Sequence, residues 1–431
     1  MQASALMVLA HASDPYDVAD IQGMRIRNLS SGNQGRQAAD LCIDVAAELG
    51  VRLPRHPGKM RVLTEVARAV MPQARLDLGR YADLPAAIDP RIHVAVQLMA
   101  QSAPAAYFAE PNLFPVLAAS ATRLSLKHGL NPYPPYSFAT LALALCGGLR
   151  LIEQGYRFGE LAITTAERYG GTHQSKAKFA VDTFVRHWKE PLDQVIDHLL
   201  DSWLRNREAG DQEDATYCAG VVLYADFLSG RHVDTTGRHP ELIDYLRRTE
   251  MPHVKDCFLA WGQMLHLMGK PELPPELSGD DFDYPSKIAA FRQIENCVQI
   301  AISSIAAGVL DHLAGRYQRA EDRFALAAEN EIHIIAQVLV LVLVPGLAFF
   351  QALNAYWLAE QDPAQAARMR RIALRQTLRL KFWKRSGPAN LAHRLALLKG
   401  GRLAAKGRHG RAVMDLHECC ALAGPQAPLY A

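Results

Sequence analysis

The chain has 431 residues, of which 49% are hydrophobic and 21% charged, with a formal net charge of +3. That supports a substantial core, arranged either as two or three globular domains or as one elongated stack of repeats. Ala and Leu dominate and strand-like alternation of Val, Ile and Thr is scarce, so the composition is helical. Seven scattered cysteines without a CxxC pair argue against zinc fingers and redox dithiols, and for a reduced cytoplasmic protein.

In chain order, residues 17–51 read as a first helical hairpin, with a helix through Ile21, Met24, Ile26 and Leu29, a turn at SSGNQG, and a second helix stopped by Gly50. The start, MQASALMVLAHASDPYD, lacks the basic leader and long apolar core of a secretory signal. Pro54 and Pro57 break the chain before an amphipathic helix from Lys59 to Val70, whose expected stripe is Met60, Leu63, Val66, Ala67 and Val70. The mostly apolar IHVAVQLMAQSAPAAYFA predicts a helix packed between neighbours. In the next helix Pro115 suits the first turn and Gly129 the stop. Phe138–Arg150 and Gly155–Tyr169 form a pair with close-contact positions at Gly155, Gly159 and Ala162. Three helices follow over 176–189, 191–209 and 213–229, and another pair over 241–248 and 253–268.

Residues 270–285, KPELPPELSGDDFDYP, are too rich in proline and acids for regular helix. They predict a linker between an N-terminal array, 1–269, and a C-terminal array, 286–431. The second array opens with GVLDHLAGRYQRAEDRFALA, in which the tetratricopeptide period of roughly 34 residues is most legible. Gly308 falls where two helices cross closely, Gly315 where the chain turns, and Tyr317, Ala320, Phe324 and Ala327 on the second helix's buried face. Gly400, Gly407, Ala412, Leu416 and Cys419 repeat that spacing in a last pair. The apolar run VLVLVLVPGLAFF is shorter than the ~20 residues of a membrane span and is divided by Pro345 and Gly346, which predicts a buried hairpin. The fold expected is an all-α, right-handed superhelical solenoid of degenerate tetratricopeptide-like hairpins.

Charge is strongly segregated. Residues 363–414 carry fourteen Lys or Arg and no acid. On a helix, Arg368, Arg371, Arg375 and Arg379 fall within an arc of about 80°, with Met369, Ile372, Ala373 and Leu380 on a separate apolar face. With Lys381, Lys384 and Arg385 they form an expected basic interaction surface. Such a surface binds phosphates of nucleic acid or lipid, or neutralises acidic protein neighbours.

The phrases LGVRLPRHPGK at 49–59, PAAYFAEPNLFPVLAASATRLSLKHG at 104–129, GYRFGELAITTAERYG at 155–170, HWKEPL at 187–192 and PANLAHRLALL at 388–398 span most of the chain. They resemble the helical-repeat region of bacterial multidomain signalling ATPases, the trifunctional serine/threonine kinase, ATP-binding protein and sensor histidine kinase family. In that family a kinase-like domain and a STAND-type ATPase precede this region, and a GAF domain with a histidine kinase or cyclase follows. The resemblance implies a regulatory section without those engines. Consistent with that, the chain has no GxxxxGK[ST] loop and no HRD and DFG pair.

Other candidate chemistry is thin in the sequence. His417, Cys419 and Cys420 are the densest soft ligands, but adjacent cysteines diverge by about 100° on a helix, and Cys419 has a packing role. His187-Trp188-Lys189-Glu190 reads as a helix end before Pro191, and Asp280, Asp281 and Asp283 as a solvated acidic linker lacking EF-hand spacing. There is no GxSxG elbow. No catalytic residue, cofactor or metal is therefore assigned. The leading expectation is a non-catalytic protein-interaction scaffold in bacterial signal transduction, with a protein partner or separate signalling domains. The alternatives are a nucleic-acid or anionic-surface regulator acting through 363–414, and an enzyme with unrecognised chemistry in the solenoid groove. The GPQAPLYA end, close behind a repeat helix without a polar cap, adds an expectation of self-association.

Overall fold

The computed structural model describes residues 15–31, 34–73, 77–169, 171–230, 239–270, 272, 274, 276–331, 342–406 and 408. Among them there are eighteen α-helices and no strand. Two isolated bridges join Ala86 to Leu130 and Ser278 to Asp283. The chain divides into compact units at Val181/Asp182. The 270–285 segment, expected as the linker between two arrays, instead lies within the second unit.

The first unit holds α1 (Pro15–Ser31), α2 (Gly35–Glu48), α3 (Lys59–Val70), α4 (Pro90–Ala109), α5 (Leu113–His128), α6 (Pro134–Leu143), α7 (Ile152–Glu167) and most of α8 (Gly171–Phe184). Ile26, Cys42, Leu98, Met99 and Leu117 bring α1, α2, α4 and α5 into one core. Helix α3 keeps its expected bounds but not its expected stripe. Met60 and Leu63 are exposed, at 75% and 49%, and the buried residues are Val62, Glu65, Val66, Ala69 and Val70. Glu65 can be buried because Arg61 and Arg68, one turn to either side, pair with it at 2.8 and 3.1 Å. Burial with two cations satisfies a carboxylate that composition alone would place outside.

The second unit holds α9 (Leu192–Glu208), α10 (Gln212–Ser229), α11 (His239–Arg248), α12 (Pro252–Met268), α13 (Tyr284–Gln293), α14 (Cys297–Leu313), α15 (Tyr317–Glu329), α16 (Leu343–Gln361), α17 (Ala366–Lys384) and α18 (Ala392–Ala404). Consecutive helices pack as pairs, α9 with α10, α14 with α15 and α16 with α17, and α16 also meets α15 and α18.

The tight connections share one device. At the end of α14, Gly315 adopts φ 73°, its N–H reaches the His312 carbonyl, and the Arg316 N–H reaches back to Asp311. This is the double bond of a Schellman turn, and the left-handed residue in it is one that glycine supplies without Cβ strain. The same pair of bonds closes α9 through Gly210 and Asp211, and α13 through Glu295 and Asn296. Glu295 takes the left-handed position at φ 52° without being glycine. Where α14 crosses α15, a Cβ added to Gly308 would lie 2.6 Å from the Phe324 ring. Phe324, Ala320 and Ala327 are fully buried there. Tyr317 is partly exposed and stacks on Trp357, with ring centroids 5.8 Å apart.

The acidic run is not a solvated tether. Leu277 and Phe282 are buried, Asp281 makes a two-point pair with Arg247 at 2.6 and 2.9 Å, and Asp283 caps α13 at the Ser286 N–H. Among the described residues no helix is long and apolar enough to cross a membrane. Residues 332–341, the upstream part of the apolar run, lie outside the described residues, whereas Pro345 and Gly346 sit in the buried first turns of α16.

Candidate interaction surface

Helix α16 is largely apolar, with Gln351 and Asn354 as buried exceptions, and is buried over nearly its whole length, so it lies inside a layer of helices. Helix α17 is its hairpin partner. The turn between them is held by Asp362, which accepts from the Ala364 N–H at 2.9 Å and from Gln365 Nε2 at 2.8 Å. One face of α17, with Ala366, Met369, Ala373, Leu380 and Trp383, is buried. Gln376 and Thr377 are buried on that face as well.

These polar groups are tied in rather than stranded. Arg379 Nη1 donates to Gln376 Oε1 at 2.9 Å, Gln376 Nε2 donates to Gln351 Oε1 at 2.7 Å, and Gln351 Nε2 donates to Glu321 Oε1 at 3.3 Å. Every donor in this ladder points the same way, from the guanidinium on α17 through α16 to the carboxyl on α15. Glu321 Oε2 makes no well-formed hydrogen bond. Burial pushes the Glu321 carboxyl up to about 7, against the pull of Gln351, Asn354 and Arg368 in the other direction. Arg379 closes the far end by pairing with Glu331 at 3.0 Å and lying over the Trp383 ring.

Arg379 therefore does not belong to the basic stripe expected from helix geometry; its charge is spent on Glu331. Arg368, Arg371, Arg375, Lys381, Lys384 and Arg385 are exposed, and so is Arg370, whose guanidinium donates to the Ala405 carbonyl at 2.7 Å. The exposed arc spans about 200° of the helix and is not uniformly cationic. Leu374, Leu378 and Phe382 are 45%, 55% and 42% exposed. They follow one another at intervals of four residues, so they form one row along the helix. Arg370 heads that row, Arg371 and Arg375 lie on one flank of it, and Lys381 and Arg385 on the other. The segregated charge was legible in the sequence. The apolar row was not, because only the packing of Met369, Ala373 and Leu380 reveals which leucines are left outside.

Two further clusters fall in the same unit. On α14, Asp311 accepts from Arg316 at 2.8 Å, Arg319 at 3.0 Å and Arg323 at 2.6 Å, and Glu276 adds a second carboxylate to Arg323. Burial works to raise the Asp311 carboxyl, but the three guanidiniums outweigh it and hold it below the ordinary range. This cluster fastens the 276 segment to the α14–α15 hairpin. The second cluster surrounds a cavity of ≈ 20 Å³ lined by His187, Trp188, Pro345, Trp383, Asn390 and Arg394 among others. That is room for about one water, too little for a metabolite. His187 is buried with neither ring nitrogen in a well-formed hydrogen bond. Burial pushes it down to about 3, only partly offset by the Thr183 backbone, so it is neutral at physiological pH. Asn390 clamps the adjoining turn, donating to the His187 and Glu190 carbonyls at 3.0 and 2.8 Å and accepting from the Leu192 N–H at 2.9 Å. The His187 phrase is thus part of a packed turn.

Gly400 is buried on α18. Gly407, Ala412, His417, Cys419 and Cys420 lie outside the described residues. Among the described residues, no group of three or more His, Cys, Asp or Glu is arranged to hold a metal ion. No protein-family model matches the chain, and comparison with curated proteins and with solved structures returns no match.

Proposed function

We propose that the chain is a non-catalytic helical scaffold that docks through the outward face of α17, its hairpins stacking as a degenerate tetratricopeptide-like solenoid. The observation that carries this reading is the row Leu374, Leu378 and Phe382 between two lines of cations. Apolar side chains left at half exposure beside concentrated charge are the composition of a surface that is covered part of the time. The buried polar groups support it from the other side. Glu321, Gln351, Gln376, Arg379 and Asp311 are spent on tying one helix to the next, and so stiffen the layer behind the face. Within a signalling protein of the kind the sequence resembles, such a section would transmit docking at its surface to a neighbouring ATPase or kinase.

A photo-crosslinking amino acid placed at Leu378 of the full chain tests this in cells. Leu204 on α9, 48% exposed, is the control position. Adducts should form at position 378 and be largely absent at 204. Equal labelling at both positions, or none at 378, would refute the docking face.

A further inference from the structure

We propose that the outward face of α17 docks on an anionic lipid bilayer, an inference that rests on the docking reading above and names its target. The order of groups across the helix carries it. Leu374, Leu378 and Phe382 run through the exposed arc, with Arg371 and Arg375 beside the row on one side and Lys381 and Arg385 beside it on the other, while Arg370, at the head of the row, is held by the Ala405 carbonyl. A helix lying in the headgroup region needs that order. Its apolar row enters the acyl boundary, and long cationic side chains on both flanks reach up to the lipid phosphates.

A nucleic-acid face has a different order. Phosphate backbones are met by a continuous polar and cationic surface, and two leucines in its middle would be desolvated against charge. An acidic protein would match the cations. However, three half-exposed apolar side chains on one helix are a small patch beside the about 800 Å² per partner of a standard interface. A bilayer needs no such area from one contact, because each cation near an anionic surface contributes about fivefold to partition. Residues 363–414 hold no acid to oppose it. Arg379, paired with Glu331, is not one of the lipid-facing cations. The Leu residues are anchored by their own helix, since α17's opposite face is packed on the buried helix α16, so docking needs no unfolding of the unit.

The test uses the full chain and sedimentation with vesicles of phosphatidylcholine mixed with phosphatidylglycerol, against vesicles of phosphatidylcholine alone. The chain should sediment with the mixed vesicles and not with the neutral ones, and rising salt should release it. The variant R371Q/R375Q/K381Q should lose about a hundredfold in partition, at about fivefold per cation. The variant L374S/L378S/F382S should lose at least about tenfold. All six positions are exposed, so helicity and melting should stay close to the parent. Free glycerol phosphate should not compete, because it offers the phosphate without the acyl boundary. Absence of binding to the mixed vesicles overturns the proposal, as does a serine variant that binds like the parent. If either variant fails to fold, the crosslinker at Leu378 in the otherwise unaltered chain decides. Lipid adducts support the bilayer, whereas protein or nucleic-acid adducts without lipid overturn it and leave the docking face standing. No adduct at all sinks both.

Discussion

Replacing Glu321 with glutamine isolates one buried charge and makes its cost measurable. The carboxyl is pushed from its ordinary 4.5 up to about 7 because burial penalises the ionised form more than Gln351, Asn354 and Arg368 favour it. Below pH 4.5 it is protonated in both the folded and unfolded chain and has no pH-dependent effect. Between 4.5 and about 7 the unfolded chain ionises first, so stability falls as pH rises, and the loss is complete above the folded value. At about 1.4 kcal/mol per pH unit, that rise corresponds to about 3 kcal/mol. Glutamine is neutral throughout and keeps the oxygen that accepts from Gln351. Its new amide introduces a fixed, pH-independent offset, so the informative quantity is how the difference from the parent changes with pH. All five tryptophans, at 188, 203, 261, 357 and 383, fall in the second unit, and their fluorescence follows the unfolding of the unit that contains Glu321. Urea titrations at pH 4.5 and 8 should show E321Q gaining on the parent by about 3 kcal/mol at the higher pH. An unchanged difference between the two pH values would refute burial as the dominant influence on this carboxyl.

Two other substitutions probe the connections and the ion cluster. Glu295→Gly should raise stability by roughly 0.5–1 kcal/mol, because glycine removes the left-handed strain at φ 52° while giving back part of the gain as unfolded-chain entropy. A lowered urea midpoint would show that the Glu295 side chain matters more than its backbone. Asp311→Asn should destabilise the second unit by about 3–5 kcal/mol, because three guanidiniums lose the carboxylate they converge on. The parent itself should lose this cluster's contribution in acid, as pH falls through the depressed folded value of Asp311. A near-neutral Asp311→Asn would mean that Glu276 and solvent already satisfy those arginines.

Helix positions were legible because proline and glycine punctuate this chain at nearly every connection. Lys59–Val70 follows Pro57 and Gly58, and α5 ends where Gly129 begins. The faces were less legible, for a physical reason. Side-chain direction follows from helix geometry, but which direction is buried depends on partners distant in sequence. Glu65 on α3 looks like a surface residue until Arg61 and Arg68 are seen to enclose it, and its burial turns Met60 and Leu63 outward. Arg379 shares an arc with Arg371 and Arg375, yet Glu331, 48 positions earlier, takes its charge. The place where the compact units divide was hidden for the same reason. Proline and acid density at 270–285 resembles a tether, while Leu277, Phe282 and the Asp281–Arg247 pair fasten that segment to its unit. The boundary at 181/182 runs through helix α8 and carries no compositional mark.

The turns after α9 and α13 place a constraint on how this chain can change. Asp211 closes α9 with its backbone N–H, bonded to the Asn206 carbonyl, and opens α10 with its carboxylate, which accepts from the Asp214 N–H at 3.2 Å. Asn296 does the same between α13 and α14, bonding Phe291 on one side and accepting from the Gln299 N–H at 3.1 Å on the other. One residue serves as the last of one helix's ties and the first of the next, so no loop exists between them to lengthen. Inserting a single residue at either junction would free two helix ends together and rotate the following helix out of its seat. Length variation in such a chain must therefore come as whole hairpins gained or lost, or at connections such as 50–58 that do not share a residue in this way.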